Sequence, residues 1–233
     1  MKSSIAAAVA ALLLLSCSEA TTPKASGSPK PELFLLTALP LVWSEDFGLD
    51  QPGSSALQRL EQDYRVTPID LPSDLPGAAL LLAAQPRALP AEELVALDKW
   101  VRAGGRVLLL ADPMLEWPSE LPLGDKRRPP MAFADTGLLQ RWGLRLDAPD
   151  QRGPIQSTIA GALVLTASPG TLERVAGDCE LADAGLVSRC RVGEGQVIVI
   201  ADADFLNLEK DGVDGPTEGN LPALVSQLAS LKR

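Results

Sequence analysis

The chain of 233 residues has no histidine. Without an imidazole, neither a Ser-His-Asp nor a Cys-His nucleophile can be assembled, and the commonest metal ligand is missing. No Ser-x-x-Lys occurs to supply the serine–lysine alternative. Aromatic residues make up only 4%, so any stacking surface must be built from few rings, chiefly the four tryptophans. Basic charge is also short: 21 Lys and Arg stand against 30 Asp and Glu, a net −9. A polyanion needs a basic stripe to neutralise its phosphates, so nucleic acid is not an expected partner. The single basic cluster, Lys126-Arg127-Arg128, precedes two prolines and reads as a solvated loop, with an anionic contact as the alternative. Long apolar runs are absent as well. Ile5–Leu15 is eleven residues, short of the roughly 20 that a helix needs to span a bilayer.

That run still has a meaning, because Lys2 precedes it and Ser16-Cys17 follows at a small-residue boundary, the layout of a signal peptide. Leu14-Leu15-Ser16-Cys17 resembles the bacterial lipobox, which makes Cys17 the expected lipidated first residue of the mature protein; the alternative is an ordinary secretory signal with a chance cysteine. The division is then a signal peptide at 1–16, lipidated Cys17 and a flexible tether at 17–31, and one domain at 32–233. Residues 18–31 hold too few apolar side chains to offset the entropy of ordering them. The expected location is the bacterial cell envelope, facing the periplasm, and Ser18 after the cysteine favours the outer membrane by analogy with other lipoproteins. In that oxidising setting Cys179 and Cys190 are expected to pair, with two buried thiols as the alternative.

Periodicity gives the elements. Leu33–Val42 reads as a buried strand, and Ser54–Tyr64 as an amphipathic helix capped by Ser54 or Ser55. Arg65–Asp70 reads as an edge strand carrying Pro68, and Ala78–Ala84 as a central strand covered on both faces. Pro90 opens a second helix as its first residue, and Leu94, Leu97, Trp100 and Val101 form its apolar stripe. Gly104-Gly105 closes it, since glycine tolerates the left-handed backbone of a helix end. Arg106–Ala111 is a fourth strand, and the connections imply right-handed parallel crossovers. The proline-rich stretch Glu116–Pro130 is a lid or an excursion. Asp135 caps a short helix through Trp142, placing Trp142, like Trp100, on a buried helix face; Leu144–Leu146 and Gly161–Ala167 read as further strands. Leu186–Val192 and Gln196–Ala201 flank Gly193-Glu194-Gly195 as a β-hairpin, Asp211–Gly215 reads as a surface turn, and Asn220 and Pro222 open a last helix.

Three stretches carry a family likeness: Leu81–Ala84, Leu97–Val107 and Gly193–Phe205. Together they resemble the uncharacterised ABC-transporter auxiliary domain, a group similar to the auxiliary subunit of a bacterial gliding-motility transporter. The resemblance implies a flavodoxin-like, class I glutamine amidotransferase-like α/β fold, a doubly wound, mostly parallel sheet with a C-terminal hairpin. It also implies ABC transporter subunits as partners. The amidotransferase mechanism does not follow, because it needs a Cys nucleophile and a His base. Chemistry is left to carboxylates. Asp112, Asp202 and Asp204 fall at strand C-termini, where open α/β sheets bind ligands. They read as caps for loop amides, as a crevice for a ligand or partner, or, with Asn207, as a hard-cation site. Trp43 and Trp117 each follow a strand and can line the same rim or simply pack. The expectation is a non-catalytic, lipid-anchored accessory of an ABC-type transport system with no cofactor; the alternatives are a carboxylate- or metal-dependent hydrolase using these aspartates and a structural envelope protein without a ligand.

Overall fold

The computed structural model describes residues 29–43, 53–207 and 217–231. Its centre is a sheet of seven strands: β1 (Glu32–Thr37), β2 (Arg65–Pro68), β3 (Leu80–Ala84), β4 (Arg106–Leu110), β9 (Asp178–Ala182), β10 (Val187–Val192) and β11 (Gly195–Ile200). Their order is β2-β1-β3-β4-β11-β10-β9. The first five neighbours in that row pair in parallel, and β10 and β9 continue antiparallel. Continuous apolar runs make the parallel part: every side chain of β3 is buried, as are Leu33–Leu36 of β1 and Val107–Leu110 of β4. Each such leucine contributes about 1.5–3 kcal/mol of transfer free energy. Such strands need cover on both faces.

The helices supply it. They are α1 (Ser55–Asp63), α2 (Ala91–Arg102), α3 (Leu138–Trp142) and α4 (Asn220–Ser230). The β1–α1–β2 and β3–α2–β4 crossovers run in opposite directions along the sheet, and right-handedness then sets α1 and α2 on opposite faces. Ser54 caps α1 by accepting the Leu57 N–H at 3.1 Å, and Ala56, Leu57 and Leu60 are its buried face. Pro90 is the cap residue of α2 rather than its first helical residue. Trp100 is half-buried, not fully buried, and its indole N–H reaches the carbonyls of Pro76 and Gly77. Trp142 is buried, as expected. Helix α3 starts at Leu138, later than Asp135 suggested, because Gly137 precedes it in the left-handed region; Asp135 still accepts the N–H groups of Gly137 and Leu139.

At the sheet's N-terminal edge the two glycine motifs meet. Gly104 ends α2 at φ +107°, and a Cβ on Gly195 would lie 2.0 Å from the Val101 carbonyl oxygen and 2.5 Å from that of Gly105. The Arg102 and Gly105 carbonyls accept the N–H groups of Glu194 and Gln196. The hairpin turn is thus stitched to the end of α2 by backbone alone.

Between β4 and β9 the chain forms four more short strands: β5 (Leu144–Asp147), β6 (Pro154–Ile159), β7 (Ala162–Ala167) and β8 (Thr171–Arg174), paired antiparallel as β5-β8 and β6-β7. Of these the sequence suggested β5 and β7; β6, β8 and β9 are too polar to show an apolar run. Cys179 and Cys190 sit directly opposite on β9 and β10 and are joined by a disulfide, with a Cα–Cα distance of 4.0 Å. The outer edges are short: β2 ends in Pro68, which has no N–H to offer, and β9 carries charged Asp178 and Glu180, features that discourage edge-to-edge pairing. The Asp211–Gly215 turn lies outside the described residues.

Candidate functional site

The C-terminal ends of β4 and β11 lie side by side, with Ile200 opposite Leu110. Each strand runs one residue further before reaching an aspartate, so Asp112 and Asp202 arrive next to each other, and Asp204 follows in the turn after β11. One oxygen from each of the three carboxylates falls within 4.8 Å of the others, and all three residues are buried. The sequence placed these residues at strand ends; the structure brings them together.

Five of their six oxygens accept backbone amides. Asp112 accepts the N–H groups of Met114 at 2.8 Å and Ala203 at 2.9 Å. Asp202 accepts those of Phe205 at 2.9 Å and Ala167 at 3.1 Å, and Asp204 accepts that of Glu116 at 2.7 Å. Three separate segments are therefore tied to one carboxylate cluster: the start of the loop after β4, the end of β7 and the turn after β11. Glu116 adds a tie by accepting the Ser168 hydroxyl, which in turn accepts the Gly153 N–H. Burial pushes the Asp112 carboxyl up to about 7, despite the amide from Ala203, with the Asp204 charge adding to the rise. Asp202 is raised well above the usual range, first by burial and then by the charges of Asp112 and Asp204. Mutual repulsion in a dry site favours shared protons over three full charges.

Two buried polar residues have roles that the sequence reading did not assign. Gln85 follows β3 at φ +44° with its side chain fully buried. Its carboxamide accepts the Asp112 N–H at 2.9 Å and donates to the Asp112 carbonyl at 3.1 Å, extending the β3–β4 ladder with a side chain. Asn220, at the start of α4, accepts the Leu165 N–H and donates to the carbonyls of Leu165 and Phe205, joining β7 to the turn after β11. A Gln or Asn flanking an apolar run is the one signal that could have marked them.

The loop between β4 and α3 forms no helix or strand over residues 111–137. It is closed at its base by the Phe133 N–H on the Asp112 carbonyl and the Leu115 N–H on the Met131 carbonyl. Arg128 turns inward to the carbonyls of Ser119 and Leu121, and Arg127 pairs with Asp125, so the basic cluster is largely spent inside the loop. Leu123 and Met131 are 76% and 61% exposed, as is Trp43 at 61%, while Trp117 is half-buried against the core. Asn207 closes the turn after β11 with its N–H on the Asp204 carbonyl. Cys17 lies outside the described residues. The carboxylate trio has the span of a hard-cation site, but a cation there would compete with the five amide bonds just described.

Comparison with solved structures agrees with the architecture. The N-terminal domain of mmIFT52 matches with a TM-score of 0.53 at 15% identity, over 84% of this chain and 96% of that one. Cytoplasmic protein STM1381 from Salmonella typhimurium LT2 matches at 0.52 and 12%, over 87% and 100%. A catalytic mutant of Gan42B, a GH42 β-galactosidase from G. stearothermophilus, matches at 0.51 and 14%, over 88% of this chain and 30% of that one. The chain spans about a third of the length of the glycosidases that it matches. Identities this low speak for shared fold and not for activity. No curated protein matches the sequence. No helix among the described residues is long and apolar enough to cross a membrane. Residues 30–151 match the model of a family described as an ABC-type uncharacterized transport system, which points to an auxiliary component of such a system in the cell envelope. Since that match takes in more than half of the chain, the protein belongs to this ABC-type transport-system family.

Proposed function

We propose that the protein is a non-catalytic, lipid-anchored accessory of an ABC-type transport system, built on a flavodoxin-like, class I glutamine amidotransferase-like domain, and that it meets its partner at the C-terminal edge of the sheet. The observation that carries this reading is the use made of the strand-end carboxylates: their oxygens hold backbone amides of three segments and so shape a fixed surface. Exposed Trp43, Leu123 and Met131 give that end apolar contact points. Orientation supports it too. The chain enters β1 at Glu32, on the opposite edge, so a lipid on Cys17 would tether the N-terminal edge, and six residues of strand carry the other end about 20 Å away.

The experiment is crosslinking in living cells followed by mass spectrometry of what is recovered with the protein, comparing wild type with Cys17→Ser and with Trp43→Ala/Leu123→Ala/Met131→Ala. Recovery of transporter subunits that falls in both variants is the expected result. Wild-type protein that is folded and membrane-bound yet recovers no transporter component would overturn the proposal.

A further inference from the structure

Cations scattered through the sequence meet at the N-terminal edge of the sheet. Helices α2 and α3 both end there with basic residues in the last turn, Lys99 and Arg102 on α2 and Arg141 on α3. The two ends touch, since Arg102 donates to the Arg141 carbonyl at 3.4 Å. The turn from β8 to β9 lies beside them, with the N–H groups of Val175 and Ala176 on the Gly143 carbonyl, and Arg174 leads into it. The β10–β11 turn is bound to the same place through the Glu194 N–H on the Arg102 carbonyl, and Arg191 stands just before that turn.

The charge of this patch runs against that of the chain. Arg102 and Arg141 share the single buried carboxylate of Asp98, and their side chains are 42% and 66% exposed. Lys99, Arg174 and Arg191 are exposed and have no ion pair among the described residues. Asp178 and Glu194 border the patch, and Glu173, next to Arg174, is paired with Arg145. Five cations thus face three acids, Asp98, Asp178 and Glu194, in a protein of net −9. Helix ends favour cations in their last turn, which accounts for Lys99, Arg102 and Arg141. It does not account for Arg174 and Arg191, which lie on strands, or for Val175, which is 49% exposed among these charges. We propose that this patch is a seat for the anionic headgroups of a phospholipid surface, so that the C-terminal edge is turned away from the membrane. Each Lys or Arg close to an anionic lipid surface strengthens binding about fivefold. The tether brings such a surface within reach: β1 starts at this edge, β4 lies two strands away at about 10 Å, and a chain with the composition of residues 18–31 spans roughly 20 Å. The inference rests on the function proposed above for the tether; the patch itself is read from the described residues alone.

The test uses the full chain, purified from the membranes of expressing cells and reconstituted into phosphatidylcholine vesicles with or without phosphatidylglycerol, each containing a phospholipid with a photoreactive headgroup. With phosphatidylglycerol, adducts on peptides covering 99–106 and 174–178 should exceed those on peptides within 113–133 about tenfold, and the excess should drop severalfold at about 1 M salt. In Lys99→Glu/Arg174→Glu/Arg191→Glu, which leaves Asp98 both of its guanidinium partners, the excess should fall to the level seen in neutral vesicles. An excess just as large in phosphatidylcholine alone, or unmoved by salt, means that the tether by itself sets the orientation and overturns the seat. An unchanged excess in the folded variant overturns it as well; should the variant fail to fold, the salt series on wild type decides. The mass of the purified protein reports whether Cys17 carries lipid, so failure of the anchor is seen separately. An unlipidated chain is then floated with the same vesicles: recovery with anionic but not neutral vesicles supports the seat, and equal recovery or none overturns it.

Discussion

At the N-terminal edge of the sheet the chain is closed backbone against backbone, with Gly195 pressed onto the carbonyls of Val101 and Gly105. At the C-terminal edge, one strand-length away, it is closed around three buried carboxylates. The first kind of closure has no room to move and nothing to titrate. The second is built around buried groups that titrate, with the Asp112 and Asp202 carboxyls raised by burial. In the function proposed above, the first end is the foundation and the second is the surface turned toward a partner.

The largest effect that separates the two ends is expected from pH. For Asp112 and Asp202 the folded-state carboxyls are raised, so their contribution to stability is complete below the usual carboxylate range and is lost as pH rises, for Asp112 through about 7. Asp98, buried in α2, acts in the opposite sense: burial raises it, but hydrogen bonds from Arg102 and Arg141 outweigh this and hold its carboxyl below the usual range. Its contribution is present above the unfolded-state value and is lost as pH falls through the lowered folded one. Thermal melting across pH should therefore show a maximum on the acid side of neutrality, with the alkaline fall diminished in Asp204→Asn and the acid fall diminished in Asp98→Asn. Next in size is Gly195→Ala, whose Cβ collides with fixed backbone; a loss of about 3 kcal/mol with no change in the pH profile is expected from denaturant unfolding. Replacing Cys179 and Cys190 by serine should cost about 2–3 kcal/mol in the same measurement, from the closed loop that the disulfide imposes on the unfolded chain. Gln85→Ala removes both bonds to the Asp112 backbone and should cost about 2 kcal/mol, with hydrogen exchange raised first at Asp112. Ser54→Ala, at the start of α1, should lose only about 1 kcal/mol through its helix cap.

The legibility of the chain follows the same contrast. Strands β1, β3, β4 and β11 were readable because burial on both faces demands unbroken apolar runs, and α1 and α2 because their stripes recur at helical spacing. Glycines 104, 105, 193 and 195 were readable as a helix stop and a turn, but not as two motifs in contact, since that contact is made across the fold. The short strands β6, β8 and β9 were hidden by polar alternation. At the C-terminal edge the sequence placed Asp112, Asp202 and Asp204 on strand ends and could go no further, because sequence spacing says nothing about which strand ends become neighbours. The long-range bonds of Gln85 and Asn220 were missed for a related reason: an amide that pairs with distant backbone looks, in sequence, like any polar residue at the end of a run.

The most direct test of the account is to place a photocrosslinking residue at Leu123 on the C-terminal edge and, in a second protein, at Glu194 on the N-terminal edge, and to irradiate living cells expressing each. Crosslinks to transport-system subunits from position 123 and none from position 194 are predicted. Crosslinks to those subunits from position 194, with none from position 123, would contradict it.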